Sequence, residues 1–159
     1  IKKRGIKIKI IATGNQNDSR DNNYFSRLEK KIDGFKIQNY FTSLGIVPFS
    51  DFQILLHKCT ALINPSYFEG WSTTVEEAKA TNTPMILSSI AVHKEQAGNN
   101  AFYFNPESPI ELANLFTELS QNSRESLIEQ LNLKQLDYNN NINYFATCFR
   151  NLVIQAISK

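Results

Sequence analysis

The chain has 159 residues and a mass of 18.2 kDa, enough for one domain with a sizeable core and too little for two. Apolar residues make up 42% and charged residues 20%, a globular composition and not a disordered one. The net charge of +2 is too balanced for a nucleic-acid footprint, and no apolar run reaches the roughly 18 residues a membrane helix needs.

Ile6 to Ala12 alternates and then becomes continuously apolar, which predicts a strand, punctuated by Thr13-Gly14-Asn15. A polar loop covers 15–22. Apolar side chains at Tyr24, Phe25, Leu28 and Ile32 predict a helix stopped by Asp33-Gly34. Gln38 to Leu44 reads as a second strand, with Gly45 at its exit. Ser50 is placed to cap a short helix running to His57, with Phe52, Leu55 and Leu56 inward. Ala61-Leu62-Ile63 is a short buried strand closed by Pro65.

A helix is expected over 73–81, a strand at Met85-Ile86-Leu87, a loop over 92–100 and a strand at Phe102-Tyr103-Phe104. The remainder reads as helical, over about 108–121, 123–136 and 139–157. Phe145, Phe149, Leu152, Val153 and Ala156 trace an apolar stripe on the last helix, which reads as a packing element. Short strands alternating with helices imply an α/β fold, a Rossmann-like parallel sheet with helices on both faces. Ligands of such sheets bind beyond the carboxyl ends of the strands, here the loops 13–22, 45–50, 64–73 and 88–95. The whole of 1–159 reads as a single partial domain. It opens on Ile1, and Met85 is its only methionine, so it is read as a piece of a longer polypeptide.

The informative stretch runs from Asn64 to Ala78 (NPSYFEGWSTTVEEA), leaving a strand, making a loop and entering a helix. Thr73 followed by Glu76 fits a capping box, which gives Glu76 a structural task. The helix start, with its unpaired amides and positive dipole end, suits a phosphate or diphosphate. Gly70 lets a ligand approach the backbone closely. Glu69 lies in the loop, and Glu77 is turned about 100° from the capping glutamate. Two carboxylates beside an anion site would repel phosphate alone. They suit a ligand with hydroxyls on both sides of its phosphates, because a carboxylate accepts hydroxyl hydrogens well. The residues therefore suggest a nucleotide-sugar; the alternative is two solvated acids favoured by the helix dipole.

This stretch, with Glu69 and Glu77 eight positions apart, resembles the signature of retaining glycosyltransferases of the GT-B fold, the large family four of group 1 transferases. Three further pieces are similar in order and spacing: Ser43-Leu44-Gly45-Ile46-Val47-Pro48, Thr83-Pro84-Met85-Ile86-Leu87-Ser88, and His93-Lys94-Glu95-Gln96 through Phe102-Tyr103-Phe104-Asn105-Pro106. The last resembles transferases that build bacterial capsules and lipopolysaccharide O-chains. The likeness covers about residues 5–120.

The resemblance implies that Glu69 binds hydroxyls of the transferred sugar near the reacting carbon, as the catalytic residue, and that Glu77 binds the ribose. Backbone amides of Gly70, Trp71, Ser72 and Thr73 would hold sugar and diphosphate, and Val47, in the loop 45–47, would contact the base edge. No metal is expected. In the family, positive charge comes from the helix end and an Arg/Lys pair, and anomeric configuration is retained. The family's first strand and that basic motif precede the point where this sequence starts, so Lys2, Lys3 and Arg4 are not given the phosphate role. The absent strand would be central, which predicts an apolar gap. The acceptor-binding domain is likewise expected from the preceding half, and the terminal helix of intact members crosses back onto it.

Other residues read more plainly. His93 is a polar contact before it is an acid or base, and His57 is packing or surface. The two histidines with Cys59 and Cys148 do not converge at metal-ligand spacing. Gly-Trp-Ser-Thr-Thr is not a nucleophile elbow, and Gly14 alone is no dinucleotide fingerprint. Trp71 either packs under the sugar or wedges the loop; Glu95 either approaches the donor or caps a turn. The basic run of Lys2, Lys3, Arg4, Lys7 and Lys9 is a solvated edge or a membrane contact.

The expected function is the donor-binding part of a hexosyltransferase, inactive alone, acting in cell-surface polysaccharide synthesis in the cytoplasm or at the inner membrane face. GDP-mannose is the first choice of donor and a UDP-sugar the next; the acceptor is a saccharide or a lipid-linked glycan. The rival reading is a non-catalytic nucleotide-sugar-binding or scaffolding module that depends on a partner subunit.

Overall fold

The computed structural model describes residues 5–17, 21–133 and 138–157. Lys2, Lys3 and Arg4 lie outside the described residues. Among these residues five strands alternate with helices: β1 Ile10–Ala12, α1 Tyr24–Gly34, β2 Phe41–Ser43, α2 Phe49–Lys58, β3 Leu62–Asn64, α3 Thr73–Ala80, β4 Met85–Ser88, α4 Ala91–Ala97 and β5 Phe102–Phe104. Three helices follow: α5 Pro109–Leu119, α6 Arg124–Gln130 and α7 Tyr138–Ile157.

All strand pairs are parallel. β1 pairs with β2, Ile10 opposite Phe41, and β3, β4 and β5 form a second sheet in that order. Among the described residues no ladder joins the two sheets, so the sheet is divided between β1 and β3. Both halves nevertheless share one core, because Ile8 and Ile10 pack on the same buried cluster as Ala61 and Ile63. The division falls where the doubly wound order expects its central strand.

β4 shows why helices cover both faces. Alternate strand residues point to opposite sides, and every residue of β4 is buried. Met85 and Leu87 pack with Val75 and Ala78 of α3 and Ala97 of α4. Ile86 points the other way, into a cluster with Phe104, Phe116 and Leu119 of α5 and Leu127 of α6. Adjacent apolar residues of opposite facing thus put β4 in the core of both layers.

Arg124 joins distant segments at the base of the sheet. Its guanidinium donates to the carbonyls of Leu56 (3.1 Å), Cys59 (2.6 Å), Thr81 (3.2 Å) and Asn82 (3.3 Å) and to the Thr83 hydroxyl (3.1 Å). These are carbonyls that the ends of α2 and α3 leave unpaired. Burial pushes the neighbouring Cys59 thiol above its ordinary pKa.

Several boundaries differ from expectation. β1 and β2 are shorter than 6–12 and 38–44. α2 starts at Phe49 after Pro48, with no side-chain cap from Ser50, because proline's fixed φ already sets the helix entry. The expected loop over 92–100 contains α4, which hides from hydropathy patterns because its inward residues His93 and Gln96 are polar. α7 does not pack its stripe: Ile142, Phe145, Phe149, Leu152 and Ile157 are exposed, with the Phe145 and Phe149 rings stacked 6.2 Å apart. Among the described residues no helix is long and apolar enough to cross a membrane.

Candidate functional site

The site lies where β3 ends and α3 begins. Asn64, the last residue of β3, is buried, and its amide donates to Ser72 Oγ at 3.2 Å and to Glu69 Oε1 at 3.4 Å. Its carbonyl oxygen accepts the Ser66 amide at 3.2 Å. One side chain thus ties the start of the loop to its middle and end. The Ser66 hydroxyl donates to the same Glu69 oxygen at 2.8 Å. Glu69 is half-buried, with Oε1 held inward.

The capping box does not form. The residue before the first helical turn is Ser72, not Thr73, and its hydroxyl caps nothing. That hydroxyl is taken by Asn64, so the first amides of α3 are left without a side-chain acceptor. Glu76 sits in the first turn and does structural work by another route. It accepts from Lys79 Nζ (2.9 and 3.2 Å) and from Gln96 Nε2 (3.0 Å), which ties α3 to α4. Glu77, one residue on, is half-buried, and among the described residues its carboxylate has no hydrogen bond or ion pair.

The Ser72 backbone is gripped on both sides by Gln96. Its amide donates to Gln96 Oε1 at 3.1 Å, and its carbonyl accepts from Gln96 Nε2 at 3.0 Å. The Ser72 amide, expected to face a ligand, is therefore already used by the protein. Gly70 and Thr73 are exposed, and a Cβ built on Gly70 meets nothing within 4 Å. Trp71 is 55% exposed, and Tyr67 and Phe68 beside it are also exposed.

Val47, half-buried, follows Gly45, whose φ of 69° needs a glycine. The Gly45 carbonyl accepts the Gly14 amide at 2.9 Å, which joins the loops after β1 and β2. His93 is fully buried, far from the exposure an acid or base needs. Glu95 is exposed. A cavity of about 560 Å³ opens elsewhere, between α1 and β2, lined by Phe25, Glu29, Asp33, Gln38 and Phe41, and includes neither Glu69 nor Glu77. Among the described residues no group of three or more His, Cys, Asp or Glu side chains is placed to hold a metal.

Hydropathy and spacing brought out Glu69, Glu77 and the helix start. They missed Asn64, Ser66, Ser88 and Gln96, which hold the loop. For Asn64 and Ser88 the signal was a polar residue at the end of an otherwise apolar strand, where a side chain must bond locally or be left unpaired; Ser66 in the loop and Gln96 on α4 carried none.

Residues 1–152 match the model of a family described as glycosyl transferases group 1. Over 84 residues the chain is 37% identical to the O-antigen chain mannosyltransferase RfbU of Salmonella typhimurium, spanning 53% of this chain and 24% of that protein. Among solved structures it is similar to sucrose-phosphate synthase from Thermosynechococcus elongatus, with a TM-score of 0.70 and 16% identity over 92% of this chain and 39% of that one. It is also similar to Anabaena HepE in complex with UDP, with a TM-score of 0.67 and 19% identity over 89% of this chain and 41% of that one. The chain spans about a quarter of the length of the curated relative and about two fifths of the structures.

Proposed function

We propose, from the premise that this chain belongs to the group 1 glycosyl transferases, that it is the donor-binding part of a hexosyltransferase. The fold is the carboxyl-terminal half of the GT-B arrangement. The intact enzyme moves a hexose from a nucleoside diphosphate sugar to a saccharide or lipid-linked acceptor in cell-surface polysaccharide synthesis, in the cytoplasm or at the inner face of the membrane, where the acceptor brings peripheral contact.

The observation that carries this reading is the contrast between neighbouring acids. Glu76 is bonded to Lys79 and Gln96, whereas the Glu77 carboxylate, one turn into α3, is unpaired among the described residues, and no side chain caps the first amides of the same helix. A half-buried unpaired carboxylate on the helix whose first amides are uncapped suits a ligand with both hydroxyls and negative charge. Glu77 takes the ribose hydroxyls. The amides of the first turn of α3 take the diphosphate, and the helix dipole stabilises the charge that grows on it as the glycosidic bond breaks. Glu69, steadied through Oε1 by Ser66 and Asn64, keeps Oε2 for hexose hydroxyls near the reacting carbon. Gly70 leaves room for the sugar, with Trp71 beside it, and Val47 meets the base. No metal is required, because the helix end supplies the positive potential.

The names of two similar proteins support the substrate class: one is an O-antigen chain mannosyltransferase, and Anabaena HepE has been solved with UDP and with UDP-glucose. GDP-mannose is the first donor to test and UDP-glucose the second. Calorimetry of the intact protein against both donors is expected to show binding of one of them; binding of neither would refute the donor site.

A further inference from the structure

The loop that carries Glu69 hangs between two buried polar side chains of one helix. His93 and Gln96 are three residues apart on α4 and so lie on one face. Gln96 grips Ser72, the loop's end, through both backbone groups and continues to Glu76. His93 reaches the loop's beginning through one intermediary. Its Nδ1 is 3.0 Å from both Ser88 Oγ and the Ser88 carbonyl, and Ser88 Oγ donates to the Ser66 carbonyl at 2.6 Å.

These partners decide the tautomer. The Ser66 and Ser88 carbonyls can only accept, so the single hydroxyl hydrogen of Ser88 goes to Ser66 and Nδ1 must carry a proton. Nε2, buried, has no partner among the described residues. All the hydrogen bonding of the ring among the described residues is thus on the Nδ1 side, to Ser88, which carries it to the loop through Ser66. α4 is itself anchored, because the Tyr103 hydroxyl on β5 donates to the carbonyls of His93 (3.3 Å) and Gly98 (2.7 Å).

We infer that His93 and Gln96 are positioning residues that hold residues 66–72 in one shape, so that Glu69 meets the sugar of the donor. This rests on the donor reading of Glu69. The diphosphate end depends less on the clamp, since α3, although Gln96 also reaches its Glu76, is fixed in the core by Val75 and Ala78. The clamp therefore governs the preference for a sugar nucleotide over the free nucleotide.

Two measurements on the intact protein test it. Amide hydrogen exchange reads the clamp without any ligand. Gln96→Met, similar in length, is expected to speed exchange of the Ser72 amide roughly tenfold or more while Ile86 and Leu87 keep their protection. Unchanged Ser72 protection overturns the clamp, whatever the donor proves to be. Calorimetry then compares GDP-mannose with GDP and UDP-glucose with UDP. If the wild-type protein binds neither pair, the donor reading fails while the exchange result stands. For the pair that binds, Gln96→Met and His93→Leu are expected to weaken the sugar nucleotide about tenfold and the free nucleotide less than about threefold. His93→Asn, which keeps a donor near the Nδ1 position, is expected within about threefold of wild type. Equal loss for both ligands, or His93→Asn failing as fully as His93→Leu, overturns the positioning role.

Discussion

Glu77→Ala separates a ligand-binding acid from a structural one. Among the described residues the Glu77 carboxylate bonds to nothing in the protein. Its removal therefore breaks no hydrogen bond or ion pair, and the packing lost from a half-buried side chain is partly offset by alanine's helix propensity. The melting temperature is expected to stay within about 3 °C, since 1 kcal/mol moves it by roughly 2–4 °C at this size. Binding should respond differently. A charged hydrogen bond contributes about 1.5–3 kcal/mol, so the nucleotide-sugar should bind roughly 10- to 100-fold more weakly.

Glu76→Ala is the matched control. It removes the Gln96 bond at 3.0 Å, of about 1 kcal/mol, and a half-exposed ion pair with Lys79 of about 0.2–1 kcal/mol. The sum of about 1–2 kcal/mol should lower the melting temperature by roughly 2–8 °C, with a smaller loss of affinity than for Glu77→Ala. Calorimetry and differential scanning fluorimetry on the three proteins check both. Unchanged donor affinity in Glu77→Ala, or a fall in its stability large enough to account for the lost binding, would refute the assignment.

Other outcomes follow from the same geometry. Glu69→Ala should leave free GDP or UDP affinity within about threefold and weaken the sugar nucleotide about tenfold or more, which calorimetry reads; equal loss contradicts the sugar role. Arg124→Met keeps the aliphatic stem and removes five hydrogen bonds that share one guanidinium. Their effects do not add, so a loss of about 2–4 kcal/mol is expected, with a melting temperature lower by roughly 10 °C and Arg124→Lys in between. A shift under about 2 °C would show that the guanidinium's desolvation cancels its bonds. EDTA should leave sugar-nucleotide affinity unchanged within about twofold; a metal-dependent affinity counts against the helix end as the source of positive potential.

Local pattern carried much of the fold. Met85-Ile86-Leu87 after Pro84 read as a brief strand, and the alternation of short apolar runs with helical stretches pointed to a parallel sheet covered on both faces. The helix at Thr73 was legible too, but its cap was not. Thr73 with Glu76 has the spacing of a capping box, yet the residue before the first turn is Ser72, whose hydroxyl accepts from Asn64 eight positions away and caps no amide. α4 was hidden for a related reason: His93 and Gln96 are polar residues on a buried face, and nothing in their neighbours shows that Ser88 and Ser72 will meet them.

By itself the sequence determined the alternation of strands and helices and the two acids flanking a helix start, because both are written in residues close along the chain. Only the tertiary structure decided which acid is free, which polar side chains are buried, and that one helix grips both ends of the loop. Such bonds join residues up to 68 positions apart, as Arg124 and Leu56 are, and a buried polar group takes whichever partner packing brings within reach, leaving no periodic trace.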